Sequence, residues 1–289
     1  EVGLRYCNEV KPDLLLATDP DCDRVGIAVP DGNGYALFSG NEVGAMLLEY
    51  IADQSIKKGI MPENPIAVKT IVTTDIVNSI GKEYGVEIID VLTGFKFIGE
   101  QIGFLEEKGE ENRYIFGFEE SYGYLSGAYV RDKDAVNASM LICEMAAYYR
   151  TQGISLLEAR ENMYKKYGMF YQTLYSFTFE GESGMNKMDE IMTTLRNNPP
   201  TAIAGVPVVK FDDYKASTSK DIASGEVTEL TLPKSNVLAF FLEGGSKVIV
   251  RPSGTEPKIK TYLTAKQPTK AEAEVLEKKL HDEFSKNFQ

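Results

Sequence analysis

A single histidine and three cysteines are all that the chain offers of the residues on which nucleophilic hydrolases and zinc sites most often rest. The histidine, His281, falls in a segment, 270–286, where Leu276, Leu280 and Phe284 recur at helical spacing, and a solvated helix position is expected for it. Ser-His and Cys-His nucleophile pairs are thereby excluded. Any general acid or base must be a carboxylate, a lysine, a tyrosine or a water. Cys7, Cys22 and Cys143 are odd in number, far apart and without a Cys-x-x-Cys, which argues against a disulfide framework and a thiolate zinc site and fits a reducing compartment. Basic runs do not exceed pairs such as Lys57-Lys58 and Lys165-Lys166, and a net charge of −12 repels polyanions, so neither nucleic acid nor an anionic membrane is an expected partner. No apolar run approaches the roughly 20 residues needed to span a bilayer, and the acidic first residue opens no basic-then-apolar signal sequence. A soluble, cytoplasmic protein is expected.

What is present is an ordinary globular balance, 43% hydrophobic and 26% charged, spread over 289 residues. At about 100–200 residues per domain, that length suits two or three domains. A short buried strand at 14–17 runs straight into an acidic loop, and strands at 25–29 and 35–38 flank Asp31-Gly32-Asn33-Gly34, which has the chemistry of a hairpin turn. Ser39 and Glu42 form a capping-box pair ahead of a helical face of Val43, Met46, Leu47, Tyr50 and Ile51. Strands at 66–72, 86–91 and 113–118 then alternate with helices at 75–84 and 95–107, a rhythm that predicts a layered α/β/α domain with a mixed sheet. A well-buried helix is expected at 134–149 and another, leading into a linker, at 153–168. Beyond it, strands near 172–179, 206–211, 237–242, 247–250 and 259–263 with two helices predict an α+β C-terminal domain. The expected division is 1–38, 39–168 and 169–289, the first being the tail of a preceding, similar domain.

Four motifs carry chemistry. In Asp19-Pro20-Asp21-Cys22-Asp23-Arg24, carboxylates at alternate positions follow a strand, and their convergence calls for a hard divalent cation, Mg²⁺, Mn²⁺ or Ca²⁺. An EF-hand is ruled out by spacing, since Arg24 stands where it needs glycine and Pro30 where it needs glutamate. Arg24 is placed to brace a phosphoryl group. Gly117-Phe118-Glu119-Glu120-Ser121-Tyr122-Gly123 follows a strand, where Glu119 and Ser121 suit neighbouring sugar hydroxyls. Arg251-Pro252-Ser253-Gly254-Thr255-Glu256-Pro257 combines a guanidinium, two hydroxyls and a glycine, which makes either a phosphate cradle or a rigid turn, with Lys258 and Lys260 close by. Finally, Thr93-Gly94-Phe95-Lys96 ends one strand and Arg131-Asp132-Lys133-Asp134 begins a helix. Lys133 suits proton transfer if neighbouring cations depress its pKa, whereas its acidic neighbours favour a surface ion pair.

Taken in order, these motifs resemble the α-D-phosphohexomutase family, most of all its bacterial phosphoglucomutases, over essentially the whole chain. The resemblance implies that Asp19, Asp21 and Asp23 hold Mg²⁺ with Arg24 as their partner, and that Thr93, Gly94 and Phe95 contact substrate. It makes Glu119 and Ser121 the sugar-recognition pair, Lys133 the general acid or base, and Arg251, Ser253, Gly254 and Thr255 the distal phosphate loop. The implied reaction interconverts glucose 1-phosphate and glucose 6-phosphate through a phosphoserine and glucose 1,6-bisphosphate. Family members carry that serine in a Thr-Ala-Ser-His-Asn-Pro-like loop of an N-terminal domain, and this chain has no Ser-His pair. It is expected to begin inside the second domain, to need the missing N-terminal domain as its partner, and to be inactive alone. Two departures stand out. Lys260 occupies a place where the family often has arginine, and it cannot grip phosphate bidentately. Phe118 stands near where many glucose-specific members have a second glycine, while Ser121, an alanine in phosphopentomutases, favours a hexose. A phosphopentomutase, a phosphomannomutase or a non-catalytic phosphosugar-binding module are the alternatives.

Overall fold

The computed structural model describes residues 2–179, 181–254 and 256–288. The chain divides into two units, Glu1–Tyr167 and Gly168–Gln289.

In the first unit, helix α1 (Val2–Val10) leads into a three-stranded antiparallel sheet of β1 (Leu15–Thr18), β2 (Val25–Pro30) and β3 (Tyr35–Phe38). Because Thr18 pairs with Val25, the whole acidic motif is the loop of the β1–β2 hairpin. The β2–β3 turn forms as its sequence predicts, with the Asp31 carboxylate accepting from the Asn33 and Gly34 amides at 2.9 and 2.7 Å. Ser39 then caps α2 (Gly40–Lys57) with both halves of the capping box in place.

A four-stranded sheet follows: β4 (Ile66–Thr70), β5 (Glu87–Val91), β6 (Tyr114–Glu119) and β7 (Gly123–Leu125), in the order β5-β4-β6-β7. The first three strands are parallel and β7 returns antiparallel to β6. Helices α3 (Ile76–Tyr84), α4 (Phe95–Glu106), α5 (Ala135–Thr151) and α6 (Leu156–Tyr167) complete the unit. Alternation along β6 assigns its faces. A Cβ at Gly117 would meet Ile98 of α4, whereas Phe118 lies so close to α2 that a Cβ at Gly44 would fall 2.0 Å from its ring. The sheet is therefore sandwiched between α4 and α2. On the α4 side, Ile66, Val68, Val91, Phe95, Ile98, Ile102 and Leu105 share one buried cluster. The expected well-buried helix is corrected: α5 buries only Ala135, Ala138, Ile142 and Met145, and Val136 and Met140 face solvent.

The second unit is an antiparallel sheet flanked by helices. Its strands are β8 (Met169–Thr178), β9 (Ala202–Ile203), β10 (Val206–Asp213), β11 (Thr218–Asp221), β12 (Val227–Glu229), β13 (Leu238–Leu242), β14 (Lys247–Pro252) and β15 (Lys258–Gln267). The main path runs β12-β11-β10-β13-β14-β15-β8, with β9 paired to β10. Helix α7 (Glu182–Asn197) follows β8, and α8 (Lys270–Phe284), capped by Thr269 and Glu272, buries Ala273, Leu280 and Phe284. His281 is not a solvated position: its ring is half-buried and stacks on Tyr175 at a centroid distance of 3.8 Å. Among the described residues, no helix is long and apolar enough to cross a membrane.

The tight α2–β6 contact makes Gly44→Ala an overpacking substitution, expected to cost about 1–3 kcal/mol. Gly103, in α4, has open space around its would-be Cβ, and Gly103→Ala is expected to gain roughly 0.5–1 kcal/mol. Denaturant midpoints of the two variants should move in opposite directions.

Candidate functional site

The acidic loop is shaped by its own first carboxylate. Asp19 Oδ1 accepts from the amides of Asp23 and Arg24 at 3.2 and 3.0 Å, and the Arg24 guanidinium lies 3.8 Å from Asp19 Oδ2. The Arg24 amide, aided by Asp23 and opposed by burial, holds the Asp19 carboxyl below its ordinary value. Cys22 takes the left-handed conformation, φ 58°, which turns the chain sharply between Asp21 and Asp23. As a result, one oxygen from each of Asp19, Asp21 and Asp23 lies within 4.8 Å of the others. Asp23 Oδ1 is buried and has no hydrogen-bond partner. A buried, unpartnered carboxylate oxygen beside two further anions is costly unless a cation satisfies it, so these residues fit a hard, oxygen-ligated divalent ion.

Asp23 Oδ2 is taken by Lys133, whose Nζ is 2.9 Å away and also 2.9 Å from Asp132 Oδ1. The expectation of a depressed pKa is corrected, whereas the ion pair with an acidic neighbour forms, to the exposed Asp132, and is joined by a second one to Asp23. Lys133 has a side chain only 10% exposed, and although burial pulls its pKa down, the bonds to Asp23 and Asp132 outweigh that and hold it above the ordinary lysine value. Its Nζ stands 5.5 Å from the centroid of the Phe95 ring, which is 3% exposed and belongs to the core beneath. Asp134 starts α5 by accepting from the Val136 and Asn137 amides, which anchors the residue next to Lys133.

The sugar-type loop meets the same place. Glu119 ends β6 and Thr93-Gly94 follows β5, at the carboxyl ends of the two parallel strands that flank β4, where α/β sheets bind ligands. Glu119 is 5% exposed, and its Oε1 accepts from the Gly94 amide at 2.9 Å. Gly94 has φ 121°, a conformation that favours glycine. Burial raises the Glu119 pKa, opposed by the Gly94 amide and by the charges of Lys133 and Arg24. Ser121 and Thr93 are half-buried. Backbone bonds fasten the two loops together. The Val25 amide donates to Tyr122 O at 3.1 Å, Arg24 forms an isolated bridge with Gly123, and the Ala135 amide donates to Cys22 O at 3.2 Å. The structure thus brings together Asp19, Asp21, Asp23, Arg24, Thr93, Gly94, Phe95, Glu119, Ser121 and Lys133. Asp132 was given no role in the sequence reading, although its place beside Lys133 was the signal.

The remaining residues belong to the second unit. Arg251 and Lys260 are register partners on β14 and β15. Two cations directly opposite each other repel unless an anion lies between them, and Ser176 is the next partner across, opposite Lys260 on β8. The loop is closed by the Ser253 amide donating to Lys258 O at 2.7 Å. Ser253 and Gly254 line a cleft of ≈ 380 Å³ with Gly181, Met185, Glu256 and Pro257. Thr255 lies outside the described residues.

The layered α/β unit thus holds converging carboxylates and a half-buried ammonium at its strand ends, and the second unit sets two cations opposite each other. Comparisons bear on this in turn. Parafusin from Paramecium, a phosphoglucomutase solved in its open form, shares the fold with a TM-score of 0.67 at 20% identity, over 96% of this chain and 46% of that one. The N-acetylphosphoglucosamine mutase of Aspergillus fumigatus, solved with GlcNAc-6P and magnesium, gives a TM-score of 0.51 at 15% identity, over 98% and 56%. The phosphoglucomutase of Staphylococcus aureus (strain bovine RF122 / ET3-1) is 40% identical over 267 residues, 92% of this chain and 47% of the relative, so the chain spans about half the length of the curated relatives it matches. Family models for phosphoglucomutase/phosphomannomutase match as its alpha/beta/alpha domain III over residues 39–167 and as its C-terminal domain over 204–280. The chain belongs to the phosphoglucomutase/phosphomannomutase family.

The raised Glu119 pKa has a pH signature. The folded state keeps the Glu119 proton to higher pH than the unfolded chain, whose value is near 4.5. Its contribution to stability is therefore complete below that value and is lost as pH rises through the folded one. From about pH 4 to about pH 8, the thermal midpoint of the wild type should fall relative to that of Glu119→Gln. A constant difference would contradict the assignment.

Proposed function

We propose that the chain carries the cation, sugar and phosphate sites of a phosphoglucomutase, which interconverts glucose 1-phosphate and glucose 6-phosphate through a phosphoserine and glucose 1,6-bisphosphate. The identity to the Staphylococcus aureus enzyme supports the reading. The observation that carries it is Asp23, one oxygen of which is buried and open to a cation while the other holds the Lys133 ammonium.

Asp19, Asp21 and Asp23 would hold Mg²⁺, which when bound offsets the charge of a transferring phosphoryl group. Arg24 offers guanidinium donors to phosphoryl oxygens on the rim of the same loop. Lys133, kept protonated by its two carboxylates, is set to give a proton to the sugar oxygen from which a phosphoryl group departs, and to recover it when that oxygen attacks. Glu119 accepts from a sugar hydroxyl, with Gly94 fixing the carboxylate, and Ser121 serves the neighbouring hydroxyl. In the second unit, Arg251 and Lys260 neutralise a phosphate, and the turn of Ser253 and Gly254 supplies further donors. The phosphoserine belongs to the whole protein as the family resemblance implies. This chain is therefore expected to bind sugar phosphates without turning them over, and the missing N-terminal domain is its proposed partner.

Calorimetry tests both parts. Mg²⁺ or Mn²⁺ should bind the wild type, and Asp21→Asn or Asp23→Asn should abolish that binding. With Mg²⁺ present, a glucose phosphate should bind the first unit and inorganic phosphate the second, and Glu119→Ala should weaken the former and Arg251→Ala the latter about tenfold or more, the cost of stranding a charge-assisted partner. Undiminished affinity in both variants would overturn the assignment of the sugar and phosphate loops.

A further inference from the structure

Gly123 lies between the acidic loop and the end of β6. It pairs with Glu119 across the β6–β7 ladder and bridges to Arg24, so a single residue separates the sugar carboxylate from the cation loop. Its φ is not among the positive ones, so conformational freedom does not explain a glycine there. Space does. A Cβ at Gly123 would lie 2.3 Å from Lys133 Cδ, 2.8 Å from Cγ and 3.6 Å from Cβ. Two of those atoms are near the root of the side chain, and the far end is pinned between Asp23 and Asp132 above the Phe95 ring. The clash could not be relieved by moving the tip alone; the whole stem would have to change rotamer and withdraw.

We infer that Gly123 is a positioning residue: its bare Cα is the slot through which Lys133 reaches Asp23, and Lys133 thereby couples to whatever cation the acidic loop binds. The coupling rests on the cation reading proposed above, whereas the slot does not. An ammonium 2.9 Å from Asp23 Oδ2 offsets part of the negative charge available to a divalent ion. Whatever withdraws Lys133 therefore tightens cation binding, and cation binding in turn loosens the hold of Asp23 on Lys133.

The test uses the 289-residue chain as wild type, Gly123→Ala, Lys133→Ala and the double variant, with Mn²⁺ affinity measured by calorimetry and the thermal midpoint in the absence of metal. Gly123→Ala and Lys133→Ala should each bind Mn²⁺ roughly fivefold or more tightly than wild type, at the low end of ordinary coupling between sites. The double variant should bind no more tightly than either single one. Gly123→Ala should lower the midpoint in the wild-type background and cost nothing more in the Lys133→Ala background, where the added methyl fills vacated space. The inference is overturned if the midpoint losses add, or if Gly123→Ala leaves Mn²⁺ affinity unchanged while Lys133→Ala raises it. Should Gly123→Ala fail to fold, recovery of folding in the double variant supports the slot, and failure of both overturns it. A wild type that binds no Mn²⁺ would sink the cation reading alone, and the midpoint cycle would then decide the role of Gly123.

Discussion

The contact between Asp23 and Lys133 is the constraint around which the first unit is arranged. A carboxylate and an ammonium withdrawn from water each carry a desolvation cost that their mutual attraction offsets only when the geometry is held closely. The protein holds it from both sides. The acidic loop is drawn into shape by the Asp19 carboxylate and by the β1–β2 register, while Lys133 is set by the Asp134 cap of α5 and by the slot at Gly123. Neither element could shift alone without stranding one charge. This is why the loop, the helix start and the β6–β7 turn are joined by backbone bonds, which do not depend on side-chain rotamers.

From that constraint follows a division of labour among the carboxylates. Asp19 is largely spent on the loop backbone, which keeps it ionised. Asp132 spends its charge on Lys133: burial works against ionisation, but the Lys133 bonds prevail and its pKa is lowered. Glu119 is the opposite case, buried enough that its proton is held more tightly, and so responsive to any hydroxyl or cation that approaches. Three carboxyl groups on neighbouring loops thus have different tasks because their surroundings differ, as functional sites commonly arrange.

Much of this was legible because it is local. The Ser39–Glu42 capping box, the Asp31 turn and the strand–helix alternation each depend on residues within a few positions, and all form. The four motifs were likewise readable as short strings, and their order carried the family resemblance. What escaped was decided at a distance. Helix α1 is only nine residues long, β7 is three residues paired to β6, and β11 and β12 are short strands of largely polar composition. The burial of α5 was overestimated because apolar composition does not say how much of a helix a neighbour covers. The state of Lys133 was the instructive miss: its acidic neighbour Asp132 is adjacent in sequence, but Phe95 and Gly123 that pack on it come from other elements and its second partner, Asp23, lies more than a hundred positions away.

The two units meet the same electrostatic problem with opposite signs. In the first, three carboxylates converge and leave one oxygen without a partner; in the second, Arg251 and Lys260 stand opposite each other in a ladder. Like charges on flexible surface side chains drift apart at little cost. Here backbone register limits that escape, since the hairpin closes at Thr18–Val25 and the β14–β15 pairing sets Arg251 against Lys260. Each repulsion is thus held by the backbone, and the proposed cation and phosphate would relieve it. Lys260 fits the proposed phosphate site: a compact ammonium adds charge beside Arg251 without a second planar fork, which would leave bidentate recognition of an anion to Arg251.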